Sequence, residues 1–84
     1  MLESTTKYAL KALLFLASKP DDRYVRVEEI SAEAGAPGPY LSKIMKTLAI
    51  KGLVLAKRGS MGGVKLAPRI QEITFYDVCV ALDD

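Results

Sequence analysis

Gly35-Ala36-Pro37-Gly38-Pro39-Tyr40-Leu41-Ser42-Lys43-Ile44-Met45-Lys46-Thr47-Leu48-Ala49-Ile50-Lys51-Gly52 is the stretch on which the reading of this chain turns. Glycines and prolines crowd residues 35–39 and mark a short turn. Pro39 suits the first position of a helix, where a missing N–H costs nothing. The helix is expected to run to about Lys51, with Gly52 closing it as a left-handed C′ residue. Leu41, Ile44, Met45, Leu48 and Ala49 recur at helical spacing and form an inner stripe. Tyr40, Ser42, Lys43, Lys46 and Thr47 fall mostly on the outer face, near the helix start. One face is thus built for a core and the other for a partner.

Working outward, Val27–Ala34 reads as a short preceding helix. Glu28 and Glu29 sit in its first turn, where the helix dipole favours anions, and Gly35 stops it. Tyr24-Val25-Arg26 before it leans towards β. After the central helix, Leu53–Lys57 and Val64–Ala67 read as two strands joined by Arg58-Gly59-Ser60-Met61-Gly62-Gly63, a hairpin with a glycine-rich tip. The first helix is expected over about Ser4–Ser18, with Ser4 as N-cap. Ser4, Lys7, Lys11 and Ser18 share its polar side, and a helix apolar on most of its surface is buried on most of its surface. That suggests packing on two sides, one of them against another subunit. The turn Lys19-Pro20-Asp21-Asp22 follows it. A last helix starts at Thr74 as N-cap, with Phe75, Val78, Cys79 and Leu82 at helical spacing.

Eighty-four residues suffice for one compact domain, with half of them hydrophobic and about a quarter charged. Net charge is only +2, but its distribution is uneven. Between Ala34 and Gln71 stand Lys43, Lys46, Lys51, Lys57, Arg58, Lys65 and Arg69, without a single Asp or Glu. All ten acids lie outside that block. A one-signed block inside a nearly neutral chain is the footprint of a polyanion-binding surface; the alternative is a solvated basic face with no partner. No signal peptide is evident, and the longest apolar run, Ala12–Ala17, is far too short to span a bilayer. A soluble, cytoplasmic protein is the expectation. With no histidine, no Cys-x-x-Cys and no acid cluster at metal-ligand spacing, nothing marks a catalytic centre or a metal site. Cys79 cannot form an internal disulfide; it reads as core packing, with a ligand or redox role as the alternative.

The order helix, helix, turn, helix, hairpin, helix is that of a winged helix-turn-helix, α+β but mostly helical. Such a motif sets its second helix in the DNA major groove, with its first residues at base edges. Pro39, Tyr40, Ser42, Lys43 and Lys46 are therefore candidate DNA contacts. Tyr40 could instead cap the core edge, and the two lysines could be plainly solvated. The hairpin tip would be the wing: Arg58 can enter a minor groove, Gly59, Ser60, Gly62 and Gly63 let backbone approach the sugar-phosphate, and Lys57 and Lys65 can contact phosphates. The glycines could equally serve the hairpin alone. They are not a nucleotide-binding loop, because no Gly-Lys-Ser/Thr ending follows.

Several segments resemble the N-terminal domain of the IscR/NsrR/CymR regulators, the Rrf-two family. They are Lys7–Leu13, Glu29-Ile30-Ser31, Tyr40-Leu41-Ser42-Lys43-Ile44 with Leu48 and Gly52-Leu53-Val54, Arg58-Gly59 with Gly62–Ala67, and Ile73-Thr74 with Asp77-Val78. The resemblance covers nearly the whole chain. It implies a dimeric bacterial repressor or activator that reads a palindromic operator, with base contacts from Pro39, Tyr40, Ser42 and Lys43 and with Arg58 in the minor groove. Iron-sulfur members often carry glutamate and glutamine where this chain has Ser42 and Lys43, which implies a different operator here. Many members also hold a cluster on three cysteines just past this region and continue into a long dimerisation helix. Residues 1–84 are therefore expected to be one DNA-binding domain without a cofactor, the cluster belonging to a longer form, and any small effector unidentified. The rival expectation is a winged-helix protein-interaction module that never touches DNA and works through its first and last helices.

Overall fold

A computed structural model describes residues 4–19 and 23–83. Of the expected Lys19–Asp22 turn only Lys19 falls within that range, and the acids Glu3, Asp21, Asp22 and Asp84 lie outside it. The described elements are helices α1 (Ser4–Ala17), α2 (Val27–Ala34) and α3 (Gly38–Ile50), strands β1 (Val54–Lys57) and β2 (Gly63–Leu66), a 3₁₀ turn over Pro68–Glu72, and helix α4 (Phe75–Asp83). The expected α+β, mostly helical class is the observed one, with the winged helix-turn-helix order intact.

The core is a single cluster to which every helix contributes: Leu13 and Leu16 from α1, Ile30 from α2, Leu41, Ile44, Met45 and Leu48 from α3, and Val78 and Ala81 from α4, with Val54 and Val64 of the hairpin beneath them. Ala9 and Ala12 are fully buried, so α1 can lie close to its neighbours. Its polar side is exposed at Ser4, Lys7 and Lys11, as the spacing requires. Ser4 lies inside the helix rather than capping it. The helix ends at Ala17, and Ser18 turns out of it, its hydroxyl donating to the Phe15 carbonyl at 2.6 Å.

Both interior helices stop on glycine. Gly35 adopts φ 71° and donates its N–H to Ser31 O. At the end of α3, Gly52 adopts φ 82°; its N–H reaches Ala49 O at 3.0 Å, and Leu53 N–H reaches Leu48 O at 2.8 Å. These two reversed bonds are the Schellman closure. They explain why β1 starts at Val54 and not at Leu53: the Leu53 N–H is already committed to the helix. The start of α3 also differs by one position. Gly38 is the first helical residue and Pro39 the second, tolerated because the first N–H groups of a helix have no partner within it.

The hairpin pairs Val54 with Leu66, Leu55 with Lys65, Ala56 with Val64 and Lys57 with Gly63. Tyr24-Val25-Arg26 contributes a bridge: Val25 and Val64 exchange N–H···O bonds of 2.8 Å each. Gly63 makes that approach feasible, since a Cβ there would lie 2.4 Å from the Val25 carbonyl oxygen. At the other end, Thr74 and Asp77 form a capping box for α4. Thr74 N–H donates to Asp77 Oδ2 at 3.0 Å and Asp77 N–H to Thr74 Oγ1 at 3.1 Å. Cys79 is half-buried on α4, less enclosed than the core position expected for it.

Two predictions follow from these local constraints. Gly63→Ala should cost at least about 2 kcal/mol, because it combines strain at φ 145° with a clash against backbone. Gly59→Ala has nothing within 4 Å and bears only the strain of φ 103°. Urea unfolding should therefore show the larger fall in midpoint for Gly63→Ala at an unchanged m value; equal midpoints would contradict the tight fit. Second, the Thr74 backbone N–H, and after it the Thr74 side chain, hold the Asp77 carboxyl below its ordinary value of 3.8. A depressed carboxylate contributes stability above its unfolded value and loses it as pH falls through the folded value. The thermal midpoint of wild type should exceed that of Asp77→Asn at neutral pH, and the gap should close below about pH 4.

Candidate nucleic-acid interface

Burial of the α3 inner stripe settles what the helix shows to solvent. Leu41 and Leu48 are fully buried and Ile44 and Met45 nearly so. Residues three and four apart share a helix face, so Pro39, Lys43, Lys46 and Ile50 form the outward ridge, with Ser42 beside them. All five are exposed. Among the described residues, Lys43 and Lys46 have neither an ion-pair nor a hydrogen-bond partner. Their ammonium groups are therefore available to a ligand without first giving up a protein contact.

The wing faces this ridge across an open cleft of about 560 Å³. Ser42, Lys46, Ala49 and Ile50 line one wall; Lys57, Arg58, Gly59, Gly62 and Gly63 line the other. Arg58, Gly59 and Ser60 are exposed at the tip, and Arg58, like the ridge lysines, is unpaired among the described residues. The glycines here have distinct tasks. A Cβ on Gly62 would stand 2.2 Å from Lys57 O, so the tip can fold back only without one. Gly59 instead takes a positive φ in open space.

Lys57 and Lys65 project from the outer face of the hairpin, diagonal to one another, and share one aromatic support. The Tyr24 ring lies 5.6 Å from Lys57 Nζ and 4.9 Å from Lys65 Nζ. Such a ring attracts an ammonium through its negative face. Lys57 still reaches the cleft, whereas Lys65 does not line it: it is half-buried near Leu16, Lys19 and Arg23. Lys51 and Arg69, also part of the basic block, meet elsewhere, with Arg69 Nη1 on the Lys51 carbonyl at 3.4 Å.

Tyr40 occupies a different place from its neighbours in sequence. Its hydroxyl lies 2.6 Å from Thr5 Oγ1, and its ring meets Tyr8 edge-on with centroids 5.6 Å apart. Half-buried between α1 and α3, it braces the ridge from behind. Of the expected site residues, then, Ser42, Lys46, Lys57, Arg58, Gly59, Gly62 and Gly63 come together around one cleft. Pro39 and Lys43 extend its ridge, Ser60 sits at the wing tip, and Tyr40 and Lys65 stand behind. The cleft also holds Arg26, Glu28 and Ile50, which sequence reasoning passed over. Ile50 is 74% exposed; four residues beyond Lys46, it falls on the outward ridge and not on the inner stripe. Arg26 could be found only by knowing that Val25 pairs with Val64.

A family model described as Rrf2, iron-dependent transcriptional regulator, matches residues 2–84. A candidate HTH-type transcriptional regulator of Aquifex aeolicus is 38% identical over 84 residues, covering 100% of this chain and 58% of the relative. The chain thus spans little more than half the length of that curated relative. Among solved structures, IscR of T. potens superposes with a TM-score of 0.87 at 27% identity, over 100% of this chain and 61% of its own. CymR, the global cysteine regulator of B. subtilis, superposes with a TM-score of 0.88 at 25% identity, over 99% of this chain and 64% of its own.

The bracing role of Tyr40 has a direct check. Tyr40→Phe keeps the ring contact with Tyr8 and deletes the hydroxyl at Thr5. It should lower stability by about 0.5–1.5 kcal/mol while leaving affinity for duplex DNA within about twofold, or less than 0.5 kcal/mol. A large affinity loss at unchanged thermal midpoint would return Tyr40 to the contact surface.

Proposed function

The chain belongs to the Rrf2 family of transcriptional regulators, and from that premise we propose that residues 1–84 form a single duplex-DNA-binding domain, α3 entering the major groove and the wing the adjacent minor groove. The observation that carries the reading is the cleft itself: unpaired Lys46 and Arg58 on opposite walls, with Lys43 and Ser42 on the ridge. Ser42 and Lys43 supply base-edge or phosphate contacts, and Pro39 abuts the groove beside them. Arg58 senses minor-groove width. Lys46 and Lys57 take phosphates, while Gly59, Ser60, Gly62 and Gly63 let the wing backbone lie against the sugar-phosphate. Lys65 acts at longer range, through charge.

The working form is a homodimer on a palindromic operator, regulating transcription in the cytoplasm. Leu14, Phe75, Tyr76 and Val80 leave apolar side chains exposed on α1 and α4, Leu14 and Phe75 along one groove, and this is the surface a second copy would cover. Among the described residues, no helix is long and apolar enough to cross a membrane. The domain binds and does not catalyse; its relatives are named as regulators. The family description is iron-dependent, yet among the described residues no three His, Cys, Asp or Glu side chains are placed to hold a metal. Cys79 stands alone. These residues do not fit an iron or iron-sulfur site, and DNA binding as proposed rests on the polypeptide's own groups.

The test is fluorescence anisotropy with a pool of palindromic duplexes across a salt series. Affinity should fall steeply and linearly on a log–log plot. Arg58→Ala and Lys43→Ala should each weaken binding by roughly 1–3 kcal/mol if they contact bases, or less if they touch phosphate only. Binding that is absent at low salt, or indifferent to both substitutions, would instead favour a protein-interaction module working through the exposed apolar side chains of α1 and α4.

A further inference from the structure

We propose that Arg26 is a phosphodiester-binding residue of the α3–wing cleft, only loosely engaged by Glu28 and by the wing until a DNA strand enters. The inference rests on the DNA-binding reading and adds to it a site outside the recognition helix and the wing tip.

Arg26 follows directly on Val25, whose two 2.8 Å bonds to Val64 fix the backbone at this point. It occupies the N-cap of α2 in an extended conformation, φ −67° and ψ 145°, and makes no capping bond with its side chain. The side chain therefore serves nothing in the helix. It runs into the cleft, which it lines together with Lys46, Lys57 and Arg58. Its present partners are loose. Nη1 reaches the Ser60 carbonyl at 3.3 Å, and Nε lies 3.6 Å from Glu28 Oε1, beyond ordinary hydrogen-bond length. Both side chains of that ion pair are largely exposed, at 60% and 79%, and exposed pairs contribute little. A guanidinium has five N–H donors, most of them unused here, and its fork matches the oxygens of a phosphate.

Glu28 gives the arrangement its second element. It is the only acid among the described residues that line the cleft. In the first turn of α2 it is favourable to the helix, but it opposes a polyanion entering beside it. Pairing with Arg26 cancels that opposition in the empty cleft. When a phosphate takes the guanidinium, Glu28 loses its partner. Arg26 thus contributes to affinity, and Glu28 sets how much of that contribution is realised.

The experiment is the salt series with Arg26→Ala, Arg26→Lys, Arg26→Gln and Glu28→Gln. Arg26→Ala should lower affinity about fivefold near physiological salt and flatten the log–log slope by about 0.9 per bound protomer. Arg26→Lys should keep the wild-type slope. Arg26→Gln can still donate to the Ser60 carbonyl but carries no charge, and it should behave like Arg26→Ala. Glu28→Gln should raise affinity, and by less when Arg26 is already alanine. Wild-type binding by Arg26→Gln would overturn the proposal, because a neutral strut to the wing would then suffice. So would an unchanged slope in all three Arg26 variants, or an equal Glu28→Gln gain in both backgrounds. Should Arg26→Ala fail to fold, judged by its thermal midpoint, the Lys and Gln pair still decides the matter. Absence of salt-dependent binding by wild type would overturn the DNA-binding reading itself, and this inference with it.

Discussion

Everything exposed by α3 depends on what α3 buries. Leu41, Ile44, Met45 and Leu48 fill the centre of the core against α1 and α4, and a helix anchored on four such side chains has one rotation available to it. A turn of the helix about its axis large enough to hide Lys46 would bring apolar side chains into water, at roughly 1.5–3 kcal/mol each. The polar ridge is therefore held in place by hydrophobic burial on its far side. Tyr40 strengthens the same constraint from the flank, coupling α3 to α1 through Thr5 and Tyr8.

The second wall of the cleft is placed by different means. A two-stranded hairpin is at best marginal in isolation. Here it is fixed at its base by the Schellman closure, which turns the chain directly from α3 into β1, and on its edge by the Val25–Val64 bridge. Both attachments depend on glycine, Gly52 at the closure and Gly63 at the bridge. With Val54 and Val64 in the core and Tyr24 over Lys57 and Lys65, the wing stands at a set distance from the ridge.

Features whose causes are local were legible in the sequence. The stop at Gly52, the Thr74 cap and the buried stripe of α3 each follow from residues within one or two turns, and each stands within a residue of where spacing put it. Features with distant causes were not. That Tyr40 braces rather than faces outward depends on Thr5, thirty-five positions away. That Leu53 is not a strand residue depends on competition for one N–H, which hydrophobic pattern cannot register. The cleft was half legible: Lys46, Lys57 and Arg58 announce themselves by charge, whereas Arg26 enters it only through a bridge between segments nearly forty residues apart.

Charge segregation in sequence became segregation in space only in part, and the reason bears on function. Of seven bases in the acid-free block, Lys51, Lys65 and Arg69 are drawn into contacts elsewhere, while Lys46, Lys57 and Arg58 line the cleft and Lys43 extends its ridge. A net charge of +2 is thus a poor measure of the field a ligand meets, because a cleft with walls of low dielectric concentrates that field locally. Helices α1 and α4 carry the complementary character. Leu14, Phe75, Tyr76 and Val80 stand exposed there. A domain this small lacks core to spare, so covering those side chains would add stability at residues that take no part in lining the cleft. The cationic cleft and the exposed apolar side chains of α1 and α4 are thus drawn from different residues, so either set can be substituted without removing a side chain from the other.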